Sequence, residues 1–88
     1  MVMKVEIREF EKREKFLQEL EYEFTRKLIE LRKGKKLSQE KLAKQAHVIR
    51  ETIARIEANM VSPNINTIIK MLEPLGYTIN ISKIKERK

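Results

Sequence analysis

Residues 38–57 place two short helical patterns side by side, with only a few residues between them. The stretch reads SQEKLAKQAHVIRETIARIE; its helical pattern stops at 46–49 and resumes at Arg50. Two short helices joined by so tight a turn must cross closely, which requires a small side chain at the crossing and an apolar anchor in the turn. Ala43 and Val48 meet these two requirements. The stretch therefore predicts a helix-turn-helix.

Composition and charge limit what such a domain can do. The chain has 88 residues, 41% of them hydrophobic, and contains no cysteine and no aspartate. The length and hydrophobic content suffice for one domain with a modest core, and the lack of cysteine excludes disulfides. With His47 as the only histidine, we expect no metal site and no cofactor. No constellation of side chains indicates an enzyme.

The formal net charge of +7 favours an anionic partner such as nucleic acid, although a well-solvated surface would carry the same charge. The first residues, MVMKVEIREF, do not resemble a signal peptide, and no stretch is apolar for the length of a membrane span. A cytoplasmic protein without a membrane partner is expected.

The N-terminal part is predicted to hold a strand and a long helix. MVMKVEI alternates apolar and polar residues, as a half-buried strand does. From about Glu9 to Lys33 the chain contains no glycine or proline, which indicates an amphipathic helix in one or two pieces, with Gly34 as its C-cap. The apolar side of this helix consists of Phe10, Leu17, Leu20, Phe24, Leu28 and Leu31.

The helices that follow are marked by their caps and apolar spacing. Ser38 can cap the first short helix, and the second, from about Ile49 to Ala58, turns Ile53 and Ile56 inward. Asn64 can cap a further helix, which Pro74 should end or kink. Residues expected in the core from this region are Met60, Ile65, Ile68, Ile69, Met71, Leu72 and Leu75.

After Gly76, YTINIS alternates Tyr77, Ile79 and Ile81 with polar residues, so we predict a short C-terminal β-strand. A lone strand leaves backbone groups and one apolar face without partners. It could pair with MVMKVEI or with the same strand of a second subunit.

The second short helix can present polar side chains on the side opposite Ile53 and Ile56. An arginine there can form a bidentate pair with guanine in the major groove. Gln39, at the start of the preceding helix, could hold a phosphate or brace the second helix, and nearby lysines could approach the DNA backbone. The outward residues are Arg50, Glu51, Thr52 and Arg55, and the lysines are Lys33, Lys35, Lys36, Lys41 and Lys44.

LSQEKLAKQAHVIRETIARIEANMVSPNINTIIKML, residues 37–72, resembles the Cro and phage-repressor type of helix-turn-helix, the XRE family, and the likeness extends over roughly residues 26–82. The residues that carry it are Leu37, Ser38, Gln39, Leu42, Ala43, Val48, Arg50, Ile53, Ile56, Glu57, Pro63 and Thr67. The resemblance implies a mainly α, lambda-repressor-like bundle that binds double-stranded operator DNA.

Site residues follow from the same resemblance. It implies that the helix from Arg50 to Ala58 reads the major groove and that Arg32 and Glu57 form a structural ion pair. Two departures are His47, where relatives have a left-handed glycine in the turn, and Ile49, which cannot cap a helix. The predicted DNA-binding residues are Lys36, Ser38, Gln39, Arg50, Glu51, Thr52, Arg55 and Asn59.

The flanks resemble a narrower group, the type II antitoxins of the HigA and HipB kind. This likeness implies a repressor that autoregulates its operon, neutralises a toxin and forms a homodimer through Tyr77, Ile79 and Ile81. The alternatives are a stand-alone phage-type repressor and a protein-interaction module with weak DNA binding. The expected organisation is an N-terminal strand and charged helix (1–25), the DNA-binding domain (26–76) and a strand with a basic tail (77–88). The N-terminal helix could bind a partner or only cover the core.

Overall fold

The protein is described from a computed structural model that covers residues 7–84, with side chains from residue 9 onward. Over this range the chain is helical and then extended. The elements are α1 (Ile7–Gly34), α2 (Gln39–Ala46), α3 (Arg50–Glu57), α4 (Ile65–Leu72) and a 3₁₀ turn (Glu73–Leu75).

Helix α1 is a single uninterrupted helix of 28 residues, because the sequence offers no breaker before its last turn. It ends at Gly34, as predicted, although Gly34 is not the left-handed residue. The left-handed residue that terminates α1 is Lys36, with φ 57°, and the Leu37 amide then donates to the Arg32 carbonyl at 3.1 Å. This pattern turns the chain sharply into α2.

The core is small and is built from one stripe of each helix. Its members are Leu28, Leu42, Ala43, Ile53, Ile56, Ile68, Met71, Leu72 and Leu75, with Leu31, Leu37 and Val48 packed against them. Each large side chain buried here stabilises the fold by about 1.5–3 kcal/mol. Val48 packs against this core from the turn between α2 and α3, as expected.

Four of the six apolar residues predicted for the inner face of α1 are exposed: Phe10, Leu17, Leu20 and Phe24. The reason is geometric, since α1 is longer than the body it packs against. Three further residues predicted for the core are also exposed. Met60 lies in the loop after α3, whereas Ile65 and Ile69 lie beside the α4 stripe that Ile68, Met71 and Leu72 bury.

The predicted C-terminal β-strand is wrong. Residues 77–84 have no regular secondary structure, and no strand occurs anywhere in residues 7–84. A strand exists only through hydrogen bonds to a neighbouring strand, and the rest of this range is helical or turn. Of the predicted N-terminal strand, residues 1–6 lie outside the described residues, and Ile7 already belongs to α1.

The prediction for Pro74 is confirmed. Helix α4 ends at Leu72 and continues only as the 3₁₀ turn that contains this proline. The missing amide hydrogen of proline prevents the α-helix from continuing. The chain then leaves through Gly76, which has φ 86°.

Three helix ends use a left-handed residue other than glycine: Lys36, His47 and Asn59. His47, at φ 58° and ψ 42°, confirms the conformation that the turn sequence requires. The following amide, that of Val48, donates to the Ala43 carbonyl at 3.0 Å. A side chain in this conformation costs roughly 1–2 kcal/mol, and asparagine and histidine tolerate the conformation better than lysine does.

Replacing His47 with glycine is therefore expected to stabilise the fold by about 1 kcal/mol, because glycine adopts this conformation without a steric penalty. For a domain of this size the melting temperature should rise by roughly 4–8 °C. The matched control is Gln45→Gly, an exposed position inside α2, which should destabilise by about 0.5–1 kcal/mol. Thermal unfolding followed by circular dichroism measures both, and a His47→Gly variant that melts no higher than wild type would contradict the strain argument.

Candidate nucleic-acid interface

The helix-turn-helix is formed by α2, the residues 47–49 and α3. Ser38 caps α2, since its hydroxyl oxygen accepts the amide hydrogen of Lys41 at 3.1 Å. Ile49 stands at the cap position of α3 without a side-chain hydrogen bond, as its chemistry predicts. The amide of Thr52 donates to the Ile49 carbonyl at 3.0 Å instead.

The inner side of α3 determines which side chains face outward. Ile53 and Ile56 are 0% and 1% exposed, so α3 cannot rotate without removing both from the core. Arg50, Glu51 and Arg55 are exposed on the remaining surface, and Thr52 is half-buried. The predicted base-reading residues therefore share one outward surface, with Glu51 between the two arginines.

Ile49 also belongs to this surface, although its position in the sequence predicted only a poor cap. Its side chain is 67% exposed at the entrance to α3. An apolar group at this place is suited to contact the methyl group of thymine. The signal that could have revealed it is an isoleucine where a capping hydroxyl is expected.

A bidentate ion pair joins the carboxyl end of α3 to α1. Arg32 Nε donates to Glu57 Oε2 at 2.7 Å, and Arg32 Nη2 donates to Glu57 Oε1 at 2.9 Å. The two side chains are only 10% and 7% exposed. A bidentate contact between guanidinium and carboxylate in so buried a place fixes orientation as well as distance.

Two further groups complete this network. Gln39 Nε2 donates to Glu57 Oε1 at 2.9 Å, and Arg32 Nη1 donates to the Leu37 carbonyl at 2.7 Å. The network therefore joins the end of α1, the start of α2 and the end of α3. No buried side-chain nitrogen or oxygen in the described part of the chain lacks a partner. Of the two roles predicted for Gln39, bracing α3 is the one that its hydrogen bond to Glu57 supports.

Lysines surround the start of α2. Lys36 is exposed at the left-handed turn, and Lys33, Lys35, Lys41 and Lys44 are exposed as well. The contact between Lys44 Nζ and Glu40 Oε1 is 3.9 Å long between two exposed groups, so it restrains the lysine little. These five lysines, at the end of α1 and along α2, are called the lysine rim.

Asn59 lies in different surroundings. It follows α3 in the left-handed conformation and lines an open cleft of about 620 Å³ together with α1 residues, which include Glu19, Glu21 and Glu23. Near the cleft, Ser62 Oγ donates to Glu21 Oε2 at 2.7 Å. Asn59, a predicted DNA-binding residue, therefore lies beside several glutamates rather than in the lysine rim.

Within residues 7–84, no helix combines the length and the apolar character needed to cross a bilayer. The same range contains no cluster of three or more histidine or carboxylate side chains placed to hold a metal ion.

Comparisons with known proteins agree with this geometry. Residues 28–81 match the HTH_3 helix-turn-helix family. An uncharacterized HTH-type transcriptional regulator of Haemophilus influenzae is 35% identical over 60 residues, which cover 68% of this chain and 61% of that protein. The chain thus spans about 61% of the length of this relative.

Among solved structures, a chain of a toxin–antitoxin module from Streptococcus pneumoniae superimposes with a TM-score of 0.68 at 32% identity, over 84% of this chain and 81% of that chain. The match to the family includes all of α2, the turn and α3. The chain therefore belongs to the HTH_3, or XRE-type, helix-turn-helix family.

Proposed function

We propose that this chain is a sequence-specific repressor that binds a double-stranded DNA operator and serves as the antitoxin of a type II toxin–antitoxin system. The observation that carries the DNA-binding part is the outward surface of α3, which the Arg32–Glu57 network and the buried Ile53 and Ile56 hold in one orientation. The structural likeness to a chain of a toxin–antitoxin module supports the antitoxin part.

In this proposal α3 lies in the major groove. Arg50 and Arg55 bind guanine edges, Thr52 contacts a neighbouring base or phosphate, and Glu51 accepts from the amino group of cytosine. Ser38 and the lysine rim contact phosphates, with Lys36 in the turn into α2, while Gln39 braces α3 through its hydrogen bond to Glu57. Asn59 is the weakest candidate in this set, because its neighbours on α1 are acidic and its backbone amide already donates to the Ile56 carbonyl at 3.0 Å.

The Arg50→Ala variant is expected to lose about 1–3 kcal/mol of binding free energy on the DNA upstream of the chain's own gene, and to lose discrimination at one base pair. The reason is that a bidentate arginine–guanine contact carries sequence information that alanine lacks. Fluorescence anisotropy with wild-type and singly substituted duplexes measures both effects.

Lys44→Ala is the matched control for that experiment. A phosphate contact should weaken binding to all sequences alike and reduce the slope of log affinity against log salt by about 0.9. Unchanged affinity and base preference in Arg50→Ala would refute the assignment of α3 as the reading helix.

A homodimer is part of the proposal, because one helix of eight residues reads only a few base pairs. Two copies related by a two-fold axis would place their α3 helices about 34–36 Å apart on a palindrome. Tyr77, Ile79 and Ile81 are 54%, 40% and 93% exposed, so this segment offers apolar surface for a second copy.

A second candidate function is a protein-interaction module that binds DNA weakly. Glu51 favours it, since a carboxylate in the middle of the α3 surface repels phosphate unless a cytosine faces it. The Arg50→Ala titration separates the two functions. Specific binding that Arg50→Ala abolishes supports the repressor, whereas weak binding of every duplex supports the alternative.

A further inference from the structure

The first half of α1 buries little surface against the folded body, which it contacts through the hydrogen bond between Ser62 and Glu21. From Glu9 to Phe24 every side chain is exposed apart from the half-buried Phe16 and Glu19, and full burial begins at Thr25. A helix of 28 residues is about 42 Å long, which accounts for most of the 50 Å length of the molecule. An isolated helical segment of this size is only marginally stable in water, so contact with another surface would stabilise it. We call residues 9–24 the α1 extension.

The α1 extension carries a continuous apolar stripe. Phe10, Leu17, Leu20 and Phe24 recur at helical spacing, and they are 57%, 44%, 38% and 42% exposed. The stripe leads directly into Leu28 of the core. Contiguous exposed apolar surface of this kind marks an interaction site, because water contact with several large side chains is unfavourable.

The charge of the α1 extension is opposite to that of the body. Residues 9–24 contain six glutamates and three basic residues, a net charge of −3. Residues 25–84 contain twelve basic and five acidic residues, a net charge of +7. This segment therefore repels nucleic acid and attracts a positively charged surface. Its acidic side continues into the cleft that Glu21 and Glu23 line beside Asn59.

We infer that the α1 extension is the docking surface for a basic protein, which receives the apolar stripe in a groove and pairs its cations with the flanking glutamates. This inference rests on the proposed antitoxin function, and it locates the toxin on α1 rather than on α3. The binding mode is that of an amphipathic helix in a groove, with anchors at helical spacing.

A second copy of the chain fits the stripe less well. An antiparallel pair centred on Leu17 would set Lys15 near Glu19 and Arg13 near Glu21, but it would also set Glu11 near Glu23 and join two segments of charge −3. The net repulsion opposes that pairing. A basic partner has no such conflict.

The test uses the full-length chain and, as probe, the purified protein encoded by the adjacent gene, measured by isothermal titration calorimetry. The double variant Leu17→Glu/Leu20→Glu should weaken this binding by about 100-fold or more, because two central anchors become charged. Ile65→Glu/Ile69→Glu makes the same change on an exposed apolar pair of α4 and should leave binding within about 3-fold of wild type.

Charge variants give an independent readout that does not depend on the leucines. Glu11→Lys/Glu14→Lys should slow association and weaken binding by about 10-fold at low salt, while Lys12→Glu should bind as tightly as wild type or more tightly. Far-UV circular dichroism checks that each variant keeps its helix content. Operator binding by Leu17→Glu/Leu20→Glu should equal that of wild type.

The outcomes distinguish a failure of this inference from a failure of the proposed antitoxin function. If wild type binds the probe and both variant pairs bind equally well, the docking surface is elsewhere and the inference is overturned while the antitoxin role stands. If wild type does not bind the probe, the antitoxin role and the inference both fail, and operator binding remains a separate question. If sedimentation shows an oligomer of the chain alone that Leu17→Glu/Leu20→Glu dissociates, a second copy covers the stripe and the inference is overturned.

Discussion

Replacing Arg32 with alanine is expected to lower the free energy of unfolding by about 3–5 kcal/mol. The substitution leaves the Glu57 carboxylate, in a side chain only 7% exposed, with Gln39 as its remaining partner, and it also removes the donor to the Leu37 carbonyl. A buried charge without its counter-ion is among the costliest single defects in a domain whose total stability is about 5–15 kcal/mol. Urea denaturation followed by circular dichroism at 222 nm measures the loss.

Two further variants test whether the unpaired Glu57 carboxylate causes this loss of stability. Arg32→Met/Glu57→Leu removes both charges and should recover most of the lost stability, because no unpaired charge remains. Lys44→Ala breaks the exposed 3.9 Å contact with Glu40 and should change stability by no more than about 0.5 kcal/mol. The explanation fails if Arg32→Ala is no less stable than Lys44→Ala, or if the double variant is as unstable as Arg32→Ala.

Deleting residues 77–88 is expected to reduce affinity for the full palindromic operator by about 10²–10⁴-fold and to leave half-site binding weak. The physical reason is that a dimer makes the second half-site contact intramolecular, so losing the dimer loses that advantage. Residues 77–84 contribute no buried side chain to the body, so the body should remain folded. Analytical ultracentrifugation measures the association state, and a gel shift measures affinity on full and half operators.

The deletion also removes basic residues of the tail, so a second variant is needed. Ile79→Ser/Ile81→Ser keeps every charge and should still give a monomer, whereas Thr78→Ser/Asn80→Ser alters the alternate positions and should remain dimeric. A truncated chain that sediments as a stable dimer and binds the full operator tightly would rule out this interface.

The helix-turn-helix can be recognised in the sequence because its requirements are local. Each requirement can be read from a few neighbouring positions. Ala43 is the small residue at the helix crossing, Val48 is the apolar anchor in the turn, and Ile53 with Ile56 forms the inner stripe. The end of α4 before Pro74 follows from backbone sterics alone, and the left-handed conformation at His47 follows from the family resemblance; the structure confirms both. The outward side of α3 follows in turn from its inner side.

Other features depend on which parts of the fold lie next to each segment, and the local sequence pattern carries no information about those neighbours. The apolar stripe of α1 has one period along its whole length, yet only the part beside α2–α4 is buried, because burial requires a facing surface. The alternation in YTINIS predicted a strand, but a strand needs a second strand for its hydrogen bonds, and residues 7–84 supply none. Gln39 reaches Glu57, 18 positions away, only because the folded helices bring their ends together. Helical periodicity and caps therefore determined where the helices form, whereas the absence of a strand in residues 7–84 and the partners of each face and each polar group were decided by tertiary contact.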